Sequence, residues 1–418
     1  MNKILILEPF YTNFHIDLSK HISDDIEVLV FNLGNILYLR DAKKTIAHKK
    51  IIKSNFTDID LQIAKETQTL YTETLRKIEN REPSVEDFEY MARYVSFLRT
   101  FLKNKGIELV AMHNDLRWQH ALAIKVCKEL KIRYLITERG IFRPDTTTID
   151  FQGVNGHSSL PKNREFYENL ENISGELKSY KVDKLTNLKV NMRFSLFILL
   201  NKIGDILGMN SKIKNRGYSF VKYINLFIKQ KFSKKSTQNI ELPKEYIFIP
   251  LQVNTDTQIL IHSEFKNMQE FITKVEKDFY GIESNLQLVF KIHPMEKGIV
   301  DYDFDNRSIV VENNTNELVE KCEFLITINS TVGFEAMQEY KKVIVLGNAF
   351  FKIEGLAICS SKKNFLNDLE DTLINKNKID NHVIEKFVSY LKYGYQINGN
   401  LFNYDIETLE MLKSTLER

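Results

Sequence analysis

The stretch KIHPME, residues 291–296, closes an apolar run, LQLVFKIHP (286–294), with a cation and an imidazole two positions apart. In a strand alternate side chains share a face, so Lys291 and His293 point the same way and can meet one anion. Pro294 then stops the strand; the plain alternative for His293 is a loop histidine bonded to backbone. A second candidate is TINSTVGFEAM, 327–337, where an apolar run meets Asn329, Ser330 and Thr331 before a helix with Gly333 in its first turn. Free N–H groups and the dipole at a helix start attract phosphate, hydroxyls add donors, and a glycine allows close approach. Glu335, one turn in, suits a ribose diol. The same residues also read as a helix capped by Ser330 or Thr331, with Glu335 near the third position of a capping box.

Two further segments carry carboxylates. IPLQVNTDTQI, 249–259, brings Gln252 and then Asp256 to the end of a strand. Asp256 there is a candidate base or nucleophile, or a helix-start residue accepting backbone N–H groups. The segment TERGIFRPDTTTIDFQGVNGHSSLP, 137–161, gathers Glu138, Arg139, Arg143, Asn155 and His157 around Gly140, Gly153 and Gly156. It reads as a long polar loop after a strand, the usual carrier of function. Lys291, His293 and a helix start supply positive potential for one departing phosphate. No Asp-x-Asp pair is placed as a metal–diphosphate clamp, so the chemistry suits a nucleoside monophosphate leaving group and no metal.

The elements that must position these groups alternate. KILILEP (3–9), IEVLVFNL (26–33), IELVAMHN (107–114) and IRYLITER (132–139) are apolar runs of strand length, with WQHALAIKVCKEL (118–130) helical between two of them. The pattern restarts with YIFIPLQ (246–252), LQLVFKIHP, SIVVEN (308–313), EFLITIN (323–329) and KVIVLG (342–347), separated by helical 262–279 and 332–340. Continuous apolar strands crossed over by helices give parallel sheets covered on both faces. The expectation is α/β: two Rossmann-like domains, 1–165 and 243–375, with parallel sheets facing across a cleft. A helical, basic connection (166–242) joins them, and carboxy-terminal helices (376–418) pack across both lobes.

The bulk numbers bound the partners. At 418 residues the chain suits two domains. Hydrophobic residues at 43% and charged residues at 27% describe a globular protein, and a net charge of +3 does not suggest nucleic acid. Cys127, Cys322 and Cys359 have neither disulfide nor zinc spacing, which fits a reducing cytoplasm. MNKILILEPF meets Glu8 too soon for a signal peptide and reads as a first strand. Residues 202–235 hold nine Lys or Arg against Asp205 alone and follow FSLFILL (194–200). That pattern suits lying on an anionic bilayer, or a solvated connecting helix pair.

Taken together, NDLRWQHALA, TERGIFRPDTTTIDFQGVN, PLQVNTDTQI, KIHP and NSTVGFEAM make the chain resemble the bacterial capsule polysaccharide β-Kdo glycosyltransferases, of the single-module, capsule-linker type. The resemblance covers roughly 107–161 and 246–356. It implies a GT-B architecture and a retaining transfer of Kdo from CMP-β-Kdo to a lipid or glycolipid acceptor, at the cytoplasmic face of the inner membrane. It places Lys291, His293, Pro294, Asn329, Ser330, Thr331, Gly333 and Glu335 around the nucleotide. Arg139, Gly140, Arg143, Asn155, His157 and Gln252 fall to sugar and acceptor. Asp256 and Glu138 are expected as nucleophile and base, with the two exchangeable, and His293 as the donor to the CMP phosphate. A transferase using another cytidine-nucleotide donor, of sialic acid or glycerophosphate, and a non-catalytic capsule assembly or export scaffold are the competing readings.

Overall fold

The computed structural model describes residues 3–9, 12–180, 184–214, 241–298 and 300–417. Of the basic segment, Lys202, Lys212 and Lys214 are described; positions 216, 222, 229, 231, 234 and 235 lie outside the described residues.

The amino-terminal sheet contains β1 (Ile4–Leu7), β2 (Ile26–Val30), β3 (Lys43–Ile46), β4 (Leu109–His113), β5 (Arg133–Arg139) and β6 (Thr146–Asp150). The second sheet contains β7 (Tyr246–Pro250), β8 (Gln287–Lys291), β9 (Ile309–Val310), β10 (Phe324–Thr327), β11 (Lys342–Val345) and β12 (Ile358–Cys359). A last strand, β13 (Gln396–Asn398), returns to the first sheet, whose order is β13-β6-β5-β4-β1-β2-β3; the second runs β12-β11-β10-β7-β8-β9 and is parallel throughout.

Strand alternation sorts the cores. Leu5, Leu7, Leu29, Val110 and Met112 face one way, against the Val85–Lys105 and Trp118–Leu130 helices. Ile4, Ile6, Val28, Leu109 and Ala111 face the other, against Phe14 and Leu412. In the second sheet Tyr246 and Phe248 pack on one side, Ile247 and Ile249 on the other. Each such side chain contributes roughly 1.5–3 kcal/mol by leaving water, and the continuous apolar runs follow from burial on both faces. The Val85–Lys105 helix starts with a Ser84–Asp87 capping box and stops at Gly106, at φ 63°, where a side chain would be strained.

Two expectations need correction. Residues 146–150 are not loop: β6 pairs antiparallel with β5, Glu138 opposite Thr148 and Arg139 opposite Thr147. Three successive threonines followed by Ile149 favour an extended, half-packed chain, and the polar residues around them hid it. The carboxy-terminal part is not helical throughout, because β13 pairs with Thr146–Thr148 between the Asn381–Tyr390 and Ile406–Glu417 helices. A three-residue strand leaves no periodicity to read.

The lobes touch at several points. Lys77 Nζ donates to the carbonyls of Ser263 and Phe265, Lys162 Nζ to those of Ala349 and Phe350, and Asn348 Nδ2 to that of Gly156. Among the described residues no helix is long and apolar enough to cross a membrane.

Candidate functional site

The carboxyl ends of both sheets open on one cleft of about 620 Å3, within the range of small-molecule sites. Glu138, Arg139, Arg143 and Asn155 line it from the first lobe. Gln252, Asp256, His293, Asn329, Ser330 and Thr331 line it from the second. Groups some 150 residues apart in sequence therefore share one hollow because the strand tips converge.

Asp256 takes the helix-start role and also lines the cleft. Its Oδ1 caps the short Thr257–Leu260 helix, accepting from Gln258 N at 3.1 Å and Thr257 Oγ1 at 3.2 Å. Oδ2 takes no part in that cap. His293 Nδ1 accepts from the Met295 backbone N–H at 3.2 Å. A nitrogen that accepts is unprotonated, so in the neutral ring Nε2 carries the hydrogen.

Glu138 sits at the end of β5, where Asn114 Nδ2 donates to Oε2 and its neighbour's backbone N, that of Arg139, donates to Oε1, both at 2.9 Å. His113 Nε2 lies 3.7 Å from Oε1. Burial raises the Glu138 carboxyl above the usual range, the two donors opposing it. Burial, with Arg117 adding, keeps the His113 ring far below its ordinary pKa and so neutral. Beneath, the Thr137 hydroxyl is shared by His15 Nε2 at 2.9 Å and His113 Nδ1 at 3.1 Å.

On the opposite wall Ser330 caps the Thr331–Gln338 helix, its Oγ accepting from Val332 N. Gln252 Nε2 donates to Asn329 Oδ1 at 2.9 Å, and Asn329 N donates back to Gln252 Oε1 at 3.2 Å, locking the ends of β7 and β10 together.

Other expected site residues lie elsewhere, for physical reasons. Lys291 Nζ donates to the Asn313 carbonyl and Thr315 Oγ1, not to the cleft, so the shared face with His293 does not produce a shared anion site. Pro294 lies in the turn after β8 and outside the lining. Gly333 is a packing glycine: a Cβ there would sit 2.9 Å from Thr327 Cγ2 and 3.1 Å from Phe351. Gly140 makes room for its hairpin partner, since a Cβ would fall 2.1 Å from the Thr146 carbonyl oxygen. His157 is held by Asp115 Oδ2 at 3.0 Å and packs edge-on to His262, forming part of the lobe contact. Glu335 is outside the lining and forms no capping box; neighbouring atoms raise its carboxyl while Arg143 pulls it down.

The cleft also holds residues that motif reasoning passed over. Glu8 follows β1 at φ 53° and accepts from Asn32 Nδ2 at 2.6 Å and from the Gln119 amide, with Arg117 Nη1 at 3.5 Å. Asn32 and Asn114 follow β2 and β4. A polar residue directly after each apolar run was the available signal.

The capsule polysaccharide biosynthesis protein family model matches residues 108–402. The chain belongs to that family. Among curated proteins similar to this chain, the capsule polysaccharide modification protein LipB of Neisseria meningitidis serogroup A is 25% identical over 342 residues, 74% of this chain and 78% of LipB. The capsule polysaccharide export protein KpsS of Escherichia coli is 25% identical over 337 residues, 74% of this chain and 85% of KpsS. Among solved structures, the β-Kdo 2,7 transferase KpsC of Thermosulfurimonas dismutans matches at a TM-score of 0.40 and 13% identity, over 87% of this chain and 98% of that one.

Proposed function

We propose that the protein is a retaining glycosyltransferase that moves Kdo from CMP-β-Kdo to a lipid or glycolipid acceptor in building a capsule. The observation that carries this reading is the shared cleft in which Asp256, Glu138 and His293 line facing walls; membership of a capsule family supplies the context. Asp256 Oδ2 attacks the anomeric carbon as the bond to the CMP phosphate oxygen breaks, giving a glycosyl–enzyme ester. The leaving phosphate takes a hydrogen bond from His293 Nε2–H and faces the Ser330 helix start, which spares the reaction a metal. The acceptor hydroxyl then attacks the same carbon, Glu138 takes its proton, and the bond to Asp256 breaks. Two inversions retain configuration. Burial makes Glu138 a stronger base than an exposed carboxylate. Arg139 and Arg143, both in the lining, pair with the sugar carboxylate.

The test is to incubate purified protein with CMP-Kdo, generated in situ, and a fluorescent phosphatidylglycerol-type or Kdo-lipid acceptor, and to look for a mass gain of one Kdo. CMP release from CMP-sialic acid or CDP-glycerol instead, or no release from any donor, overturns the reading.

A further inference from the structure

The Lys184–Ile206 helix is two-faced. Its inner side is fixed to the first lobe: Asn201 Oδ1 accepts from Gly34 N at 2.7 Å, and Asn210 Oδ1, just past the helix, accepts from Leu33 N at 2.7 Å. Contact is close enough that a Cβ on Gly34 would lie 2.5 Å from the Phe197 carbonyl oxygen, and one on Gly204 2.3 Å from Asn210 Oδ1. Arg193 adds a bond to Asn13 and lies over the Tyr38 ring at 4.7 Å. These contacts set which side of the helix faces the lobe. Phe194, Phe197 and Ile198 on this side form a wall of the cleft.

The outer side, set by the same contacts, carries Leu188, Met192, Leu199, Ile203 and Ile206, at intervals of four, seven, four and three residues, which is one stripe. Their exposure runs from 39% at Ile203 to 85% at Ile206, a contiguous apolar face of the kind that marks a contact surface. Charge names the partner. Residues 184–214 hold six Lys or Arg against Asp205 alone, and Asp205 is already paired with Lys214 at 2.6 Å. Exposed Lys189 and Lys202 border the stripe. An apolar face with cationic margins on a helix about 35 Å long suits the plane of an anionic membrane surface.

We propose that this helix seats the protein on an anionic bilayer, its outer stripe entering the boundary between headgroups and acyl chains while its inner face walls the cleft. A lipid-borne acceptor then reaches Glu138 along this wall; that last clause rests on the transferase reading above, whereas the seating does not.

The experiment uses the full chain and vesicles of phosphatidylglycerol mixed with phosphatidylcholine, or of phosphatidylcholine alone. The triple variant Met192→Gln, Leu199→Gln, Ile206→Gln removes the stripe with residues that favour helix and avoids the cleft lining. Expected are salt-sensitive binding of the wild type to the anionic vesicles and a loss of roughly tenfold or more in the variant, with circular dichroism unchanged. Failure of the wild type to bind, or equal binding by the variant, overturns the seating. So does light scattering that shows a dimer dispersed by the variant with vesicle binding unaffected, since a second copy would then cover the stripe. Transfer to a short-chain, water-soluble acceptor is expected unchanged in the variant and transfer to the same acceptor in vesicles reduced. Equal rates in both overturn the acceptor route, and absence of transfer in the wild type overturns the transferase reading while the vesicle result stands.

Discussion

The Asn114 side-chain amide donates to Glu138 Oε2 at 2.9 Å, tying the tips of two neighbouring parallel strands at the floor of the cleft. The bond holds a half-buried carboxyl in one orientation, but loss of surrounding water still raises that carboxyl above the ordinary range.

Glu138→Gln is expected to lower turnover about 10²- to 10⁴-fold and to stabilise the fold at neutral pH. In the window from the unfolded carboxylate value, about 4.3, up to the raised folded value, the native state holds the proton more tightly than the unfolded chain. Wild-type stability therefore falls as pH rises through that window. The variant, having no proton to lose, should gain in melting temperature over the wild type as pH rises, and match it in acid. Thermal melts across pH check the sign.

Asp256→Asn should lower transfer by roughly 10³-fold or more with the fold intact, because asparagine caps a helix nearly as well. Asp256→Ala should additionally cost about 1 kcal/mol from the lost cap. Chemical denaturation beside an activity assay separates the two effects, and near-normal turnover in the asparagine variant removes Asp256 from the chemistry.

Acid should destabilise the protein early. Burial holds His15 down at about 4, helped by Arg117, and burial holds His262 down at about 4, helped by His157. Both are lowered from 6.5, so the unfolded chain binds protons first, and the stability they leave intact above pH 6.5 is lost as pH falls toward about 4. Replacing His15 by Gln should flatten that part of the melting-temperature profile.

Gly34→Ala should weaken the seating of the Lys184–Ile206 helix. The new methyl meets a backbone oxygen that cannot swing aside, and overpacking of this kind costs typically 1–3 kcal/mol. Limited proteolysis within residues 184–214 should quicken in the variant.

Most of the sheet structure was legible because burial on both faces writes itself as unbroken apolar runs: β1, β2, β4, β5, β7, β8, β10 and β11 all lie in such runs. The short or polar strands β3, β6, β12 and β13 carry no such run and emerged only from tertiary pairing. Asp256, His293 and Glu138 were legible as polar groups at strand ends. What sequence did not reveal is where a long side chain turns after leaving the strand: Lys291 found a carbonyl and a hydroxyl close by. Gly333 and Gly140 were equally ambiguous, because a glycine that admits a ligand and one that admits a neighbouring chain read alike. Glu8, Asn32 and Asn114 were missed because a single polar residue after a strand carries no motif of its own.

The pairing of β13 with β6 fixes when the first lobe can be finished. On the ribosome the amino-terminal sheet emerges with Thr146–Thr148 as an open edge, and its partner is not made until the whole second lobe has been translated. Until residue 398 appears, that edge stays available to other chains, so maturation of the first lobe is a late, long-range closure rather than an early local one.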